Sequence, residues 1–311
     1  MAASEFLQLD LTEAQRRYIT EHTPYRFHTI HLPAQPSISE PSSESPAAPA
    51  PDAPTFLEPY LPIPLTTSPP LLLTPQRPTD VPRIVETLSN PAVGLQLVGP
   101  PYPFTDADAH AWGEHLRSEG VRALEALGRV AQDELDARER GAEGTAEQGP
   151  SDAERRGVMV GVERPLECLH SLRRADTGEW AGDFGVMRWK FEDVPDEQER
   201  RRLVEENEAK NAVDPSVVWS FGFYLHPDLH GHGLMSLVLR SMLEHYFDPV
   251  LNAHEVRGAA YATNPASLRT QERCGFQRCG SFMEQVSEGR GGGMREVVTL
   301  RRNRPRDEAA S

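Results

Sequence analysis

The chain has 311 residues, 38% of them hydrophobic, enough for one domain of ordinary core size with appendages. Acidic residues (47) outnumber basic ones (32), and a formal net charge of −15 argues against a nucleic-acid-binding surface. No run approaches the ~20 apolar residues of a membrane span, and no apolar run follows a basic start as in a signal peptide.

From the N-terminus, Leu11-Thr-Glu-Ala-Gln-Arg-Arg-Tyr18 reads as a short helix with Thr12 as cap, or as a helix docked on the core. The 28 prolines crowd between Pro24 and Pro103, and Pro33 to Pro70 is rich in Pro, Ser and Ala. Such a segment offers too little apolar surface to offset its ordering entropy. Residues 1–66 are therefore expected to be a largely disordered tail, 67–302 the folded domain, and 303–311 a short C-terminal tail.

A strand at Leu71–Thr74 opens the domain, followed by helices over Asp80–Ser89 and Asp106 to about Arg140, then strands Glu167–Arg173 and Glu179–Trp189. Two charged, aromatic-poor segments, at about 130–160 and 191–214, read as solvated insertions, one extending a helix and one forming its own. Strand Val217–Leu225, helix Leu234–Phe247, strand Glu255–Ala262 and helix Pro265–Arg273 come next, and strands Gln277–Val286 and Met294–Arg301 close the chain. Strands alternating with helices around a mixed sheet give an α/β or α+β fold. Cys168, Cys274 and Cys279 form neither a metal spacing nor a disulfide framework, which suits a reducing compartment, the cytoplasm or the nucleus.

The most informative stretch is the turn His226-Pro-Asp-Leu-His-Gly231-His-Gly233-Leu-Met235 between a strand and a helix. A glycine-rich turn at a helix start gathers free backbone N–H groups and the positive dipole end around one point, which suits a pyrophosphate. Asn264-Pro-Ala-Ser267 then opens a second helix that ends at Gly275-Phe276. The spacing of His226, His230 and His232 lacks a carboxylate or cysteine partner, so no metal is expected.

This order of features resembles the GCN5-related N-acetyltransferases (GNAT), in particular their RimJ/RimL-like branch. The branch's pyrophosphate loop corresponds to His230, Gly231, His232, Gly233, Leu234 and Met235, and its later signature to Asn264, Ser267, Gly275 and Phe276. The resemblance runs from about Leu71 to Leu300. It implies a mixed, mostly antiparallel sheet that splays between the family's fourth and fifth strands, with the pantetheine arm in the gap between Ser220–Leu225 and Ala259–Thr263. It further implies acetyl-CoA as cosubstrate and a primary amine, on a peptide or a small molecule, as acceptor; the acidic charge and the lack of a spanning run lead us to expect neither nucleic acid nor membrane as partner. Backbone N–H groups of Gly231 to Met235 would cradle the pyrophosphate, and one near Tyr224 or Leu225 would polarise the thioester carbonyl. Asn264 would meet the pantetheine amide, and Ser267 would donate to the departing thiolate.

Four positions depart from the family pattern. His230 replaces Arg or Gln, Met235 a small residue, Ser220 a glutamate base, and Gln271 a tyrosine acid. Tyr224, His226, His254 and Glu255 are the candidate bases in their place, and Cys274 reads as a packing residue. These substitutions also sustain a second reading, a GNAT-fold protein that binds CoA or a partner without turnover.

Overall fold

The computed structural model describes residues 9–31, 55–65, 70–142 and 169–304. The Pro-rich centre of the expected tail, much of the first charged insertion and the last seven residues lie outside these. Helix α1 (Glu13–His22) starts where Thr12 and Gln15 cap each other: Thr12 Oγ accepts the Gln15 amide at 3.2 Å, and Gln15 Oε1 accepts the Thr12 amide at 2.8 Å. Strands β1 (Arg26–His31) and β2 (Thr55–Ile63) follow, and pair antiparallel. Tyr18, Ile19 and Tyr25 are at most 2% exposed and belong to the main core. The folded unit therefore begins well before residue 67, and the expected tail boundary is corrected: its ends are parts of the sheet and its cover.

Next come β3 (Leu71–Thr74), α2 (Val81–Ser89), a single turn α3 (Pro91–Gly94) and the long helix α4 (Asp106–Ala142). Beyond them lie β4 (Ser171–Arg174), β5 (Trp180–Arg188), α5 (Glu197–Ala209) and β6 (Val218–Leu225). The chain then runs through α6 (Leu234–Met242), β7 (Glu255–Tyr261), α7 (Pro265–Arg273), β8 (Gln277–Gln285) and β9 (Met294–Asn303). The helix expected to reach Phe247 stays α-helical only to Met242. A π-helical turn over Leu243–Phe247 continues it and keeps Leu243, Tyr246 and Phe247 buried.

The sheet order is β1-β2-β3-β4-β5-β6-β7-β9-β8. Among the described residues β6–β7 is the one parallel pair. Period-two alternation gives β6 two faces. Trp219, Phe221 and Leu225 enter the main core, where Phe221 stacks on Phe184 of β5. On the other parity, Tyr224 packs against a smaller cluster formed by Val81, Ile84 and Leu88 of α2 with Trp180.

The second charged insertion is solvated along most of α5, with one exception. Asn207 is 1% exposed, accepts the Val218 amide at 3.0 Å and donates to the Val218 carbonyl at 2.9 Å. Its side chain thus substitutes for a strand partner at the start of β6.

Candidate active site

Strands β6 and β7 are bonded over three rungs only, Val218 to Glu255, Trp219 to Val256 and Ser220 to Arg257. Phe221–Leu225 and Gly258–Tyr261 then diverge while each stays laddered on its outer side, to β5 and β9. Gln271 of α7, 1% exposed, lies against Gly258, where a Cβ would stand 2.1 Å from Gln271 Oε1 and 3.0 Å from Phe221 Cζ. A side-chain amide packs on the face of β7 just past the last bonded rung, a position that only a glycine leaves open.

At the open end, β6 passes into the glycine turn. His226 Nδ1 accepts the Asp228 amide at 3.3 Å, and the His230 ring donates from Nε2 to the Leu225 carbonyl at 3.0 Å. Gly231 and Gly233 have φ of 82° and 72°, and Gly233 is the N-cap of α6 with no side-chain cap. These left-handed conformations account for glycine at both positions. Among the described residues the amides of Gly231, His232, Gly233, Leu234 and Met235 meet no acceptor, and no heavy atom lies within 4 Å of where a Cβ would stand on either glycine. Five unpartnered donors at a helix start, beside open space, suit an anion.

Two side chains that depart from the family pattern pack away from the turn. Met235 is 6% exposed and packs in the main core, so its bulk does not narrow the site. His230 is folded back on the end of β6 rather than extended as a free cationic group. His232 is exposed. Among the described residues no group of three or more His, Cys, Asp or Glu side chains is placed to hold a metal.

On the β7 side, Asn264 Oδ1 accepts the Ser267 amide at 3.1 Å and caps α7, leaving its NH2 group for a further partner. Ser267 is half-buried, and its Oγ accepts from Gln271 Nε2 at 3.3 Å. With that lone pair engaged, the hydroxyl proton is free to point elsewhere. Cys274 is confirmed as a packing residue: its thiol donates to the Ser236 carbonyl at 3.3 Å, and burial holds its pKa above the ordinary range.

Of the candidate bases, two are at the wrong end. Glu255 sits on the first bonded rung, tied to Arg257 at 2.6 Å, with exposed His254 just before it. Tyr224 is beside the splay, its ring 6.1 Å from that of Trp180. Burial first, and the Asp183 carboxylate second, hold its phenol well above the ordinary tyrosine range, so it keeps its proton and cannot serve as a base. Sequence reasoning missed a pair beside it, the His170 imidazole and the Asp183 carboxylate, bonded through Nδ1 and Oδ2. No motif marks either residue. They meet because antiparallel pairing of β4 with β5 sets Ser171 opposite Asp183.

The turn and both flanking strands fall inside residues 204–277, which match the sequence profile of the acetyltransferase (GNAT) domain. Over that stretch the chain is similar to a GNAT acetyltransferase domain. The family is one of N-acetyltransferases, as the resemblance implied. Solved structures similar to the chain include a GNAT-family acetyltransferase from Bacillus anthracis, 12% identical over 78% of this chain and 98% of that one, with a TM-score of 0.46. Another is RimL, the ribosomal L7/L12 α-N-protein acetyltransferase in complex with coenzyme A, 17% identical over 78% and 97% of the two chains, with a TM-score of 0.42. A third is spermidine N-acetyltransferase from Vibrio cholerae in complex with CoA and spermine, 12% identical over 75% and 95%, also with a TM-score of 0.42. No curated protein matches the chain. In GNAT terms β6 and β7 are the fourth and fifth strands, and the splay lies where the resemblance implied.

Proposed function

We propose that this protein transfers the acetyl group of acetyl-CoA directly to a primary amine, on a peptide N-terminus or a small molecule, without a covalent enzyme intermediate. The observation that carries this reading is the parallel pair that opens after Ser220 and Arg257 onto the unpartnered amides of Gly231 to Met235. A pyrophosphate accepts from those amides, each contributing about 0.3–1 kcal/mol through the helix end alone. The edge of β6 left without a strand partner from Phe221 to Leu225, its last carbonyl taken by the His230 ring, suits the amides of a pantetheine arm, which add as a strand would.

The remaining groups divide the work of acyl transfer. A backbone N–H near Tyr224 or Leu225 steadies the oxygen of the carbonyl under attack. The NH2 group of Asn264 serves a pantetheine amide, and the Ser267 hydroxyl donates to the departing sulfur. Tyr224, protonated by its surroundings, is a second donor on that face. Both acceptor classes suit this chemistry, which asks only for a neutral nitrogen.

Thermal unfolding with and without acetyl-CoA tests the reading. Ligand at 100 times its dissociation constant adds about 2.7 kcal/mol, a rise of roughly 5–10 °C for a domain of this size. The rise should vanish in Gly233→Glu, whose carboxylate repels the pyrophosphate. No response at millimolar acetyl-CoA would sink the proposal, and binding with no transfer to any amine would favour the CoA-binding reading.

A further inference from the structure

The end of the sheet that opens beside β6 carries a line of polar residues. Strand pairing sets Thr74 of β3 opposite Ser171 of β4, Ser171 opposite Asp183 of β5, and Asp183 opposite Tyr224 of β6. His170, one residue before β4, turns its ring onto this line and bonds Asp183 through Nδ1. Its side chain is 6% exposed and that of Asp183 17%. Among the described residues His170 Nε2 and Ser171 Oγ are buried without a hydrogen-bond partner. A buried polar atom is ordinarily satisfied, so His170 Nε2 has a hydrogen-bonding position open to a further partner.

An ionised carboxylate only accepts hydrogen bonds, so the proton of the neutral imidazole sits on Nδ1 and a bare lone pair is left on Nε2. The ring reaches β5, and β6 lies one strand spacing further, about 4.8 Å. The other titratable groups at this end lack that lone pair or that position. Tyr224 is held protonated. His226 accepts the Asp228 amide on Nδ1, which puts its proton on Nε2, and the Glu86 carboxylate of α2 stands 3.9 Å and that of Asp228 3.4 Å from its ring.

We infer that His170, oriented by Asp183, is the base that takes the proton from the acceptor amine. The inference rests on the acetyl-transfer reading above. The amine lone pair forms the N–C bond to the acetyl carbon, and the C–S bond breaks with its electrons going to sulfur. One amine proton passes to His170 Nε2 and from there to solvent. The sulfur draws one proton, through Ser267, from solvent, so an amine and acetyl-CoA become an acetylated amine and CoA thiol. His170 is thus a catalytic residue, and Asp183 a positioning residue that fixes its tautomer.

Two measurements on the full chain test this. In protein labelled with 15N-histidine, long-range 1H–15N spectra should show His170 protonated on Nδ1 and bare on Nε2, assigned by its loss in His170→Asn. Asp183→Asn should move the proton to Nε2. In the second measurement, CoA thiol release is followed with an alanine-initiated peptide and with hydroxylamine, whose nitrogen is already neutral at pH 7. His170→Asn should lower kcat for the peptide by about 10²–10⁴-fold, leave acetyl-CoA binding unchanged, and leave hydroxylamine turnover within about threefold, which a collapsed site would not. Equal peptide rates in wild type and His170→Asn, or a wild-type His170 protonated on Nε2, would overturn the base while acetyl transfer stands. Failure of the wild type to bind acetyl-CoA would instead remove the reading beneath it. If the wild type binds but acetylates neither probe, the tautomer decides.

Discussion

Gln271 Nε2 donates to Ser267 Oγ across 3.3 Å, and the space Gln271 needs is provided by the missing side chain of Gly258 on the neighbouring strand. A single buried amide therefore packs on β7 where the strands begin to part and also engages the lone pair of the hydroxyl assigned to the thiolate.

Gly258→Ala should disturb both. Its Cβ would stand 2.1 Å from Gln271 Oε1, so the amide must move. Overpacking of this kind costs typically about 1–3 kcal/mol, read as a lowered urea midpoint, and kcat should fall with it. Gln271→Met removes the hydrogen bond while retaining volume, so kcat should fall while the acetyl-CoA affinity holds.

The glycine turn makes a different prediction. Nothing crowds Gly233, so a substitution there is penalised by its φ of 72° rather than by contact. Gly233→Val should destabilise the fold by about 1–2 kcal/mol, the cost of a left-handed L-residue. Gly233→Asn should cost less, because asparagine tolerates that conformation. Paired thermal melts of the two variants check the order.

Acid should act first on the N-terminal strands. Burial pushes the Glu58 carboxyl up, but hydrogen bonds from Arg77, at 2.8 and 2.6 Å, and from His28, at 2.8 Å, outweigh it and hold Glu58 below the ordinary glutamate value. A carboxylate depressed in the folded state contributes stability that is present above its unfolded pKa and lost as pH falls through the folded one. Amide exchange in β1 and β2 should therefore accelerate as the pH drops below the ordinary glutamate range. Glu58→Gln should show the loss already at neutral pH, on the order of 3 kcal/mol, and flatten the acid dependence.

Arg290 holds down the loop that follows α3. Its guanidinium, 6% exposed, donates to the carbonyls of Gly94 at 3.0 Å, Val98 at 3.2 Å and Pro100. Arg290→Ala should release all three, raising amide exchange over residues 94–103 and costing about 1–3 kcal/mol for each carbonyl left buried and unpaired. Exchange mass spectrometry on the variant reads this directly.

The turn was plain in the sequence because it is written in local chemistry, whereas the splay was implied only by the family resemblance. Glycines appear where φ is positive, Asn264 is a helix cap, and Pro265 sits at a first helical position. Strand β2 was hidden by Pro59 and Pro62, residues that ordinarily argue against a strand. They are tolerated because β1 pairs with one end of β2 and β3 with the other, so neither end is laddered on both sides. The His170–Asp183 pair was invisible for another reason: thirteen residues separate the two, and only the register of a hairpin sets them in contact.

The bracket that Asn207 places on Val218 fixes one end of β6 and leaves the other to the glycine turn. With Ser220 as fulcrum, the strand runs five residues, about 17 Å, to Leu225. The anchored arm, from Val218 to Ser220, is less than half that length, and the acidic insertion holds its end.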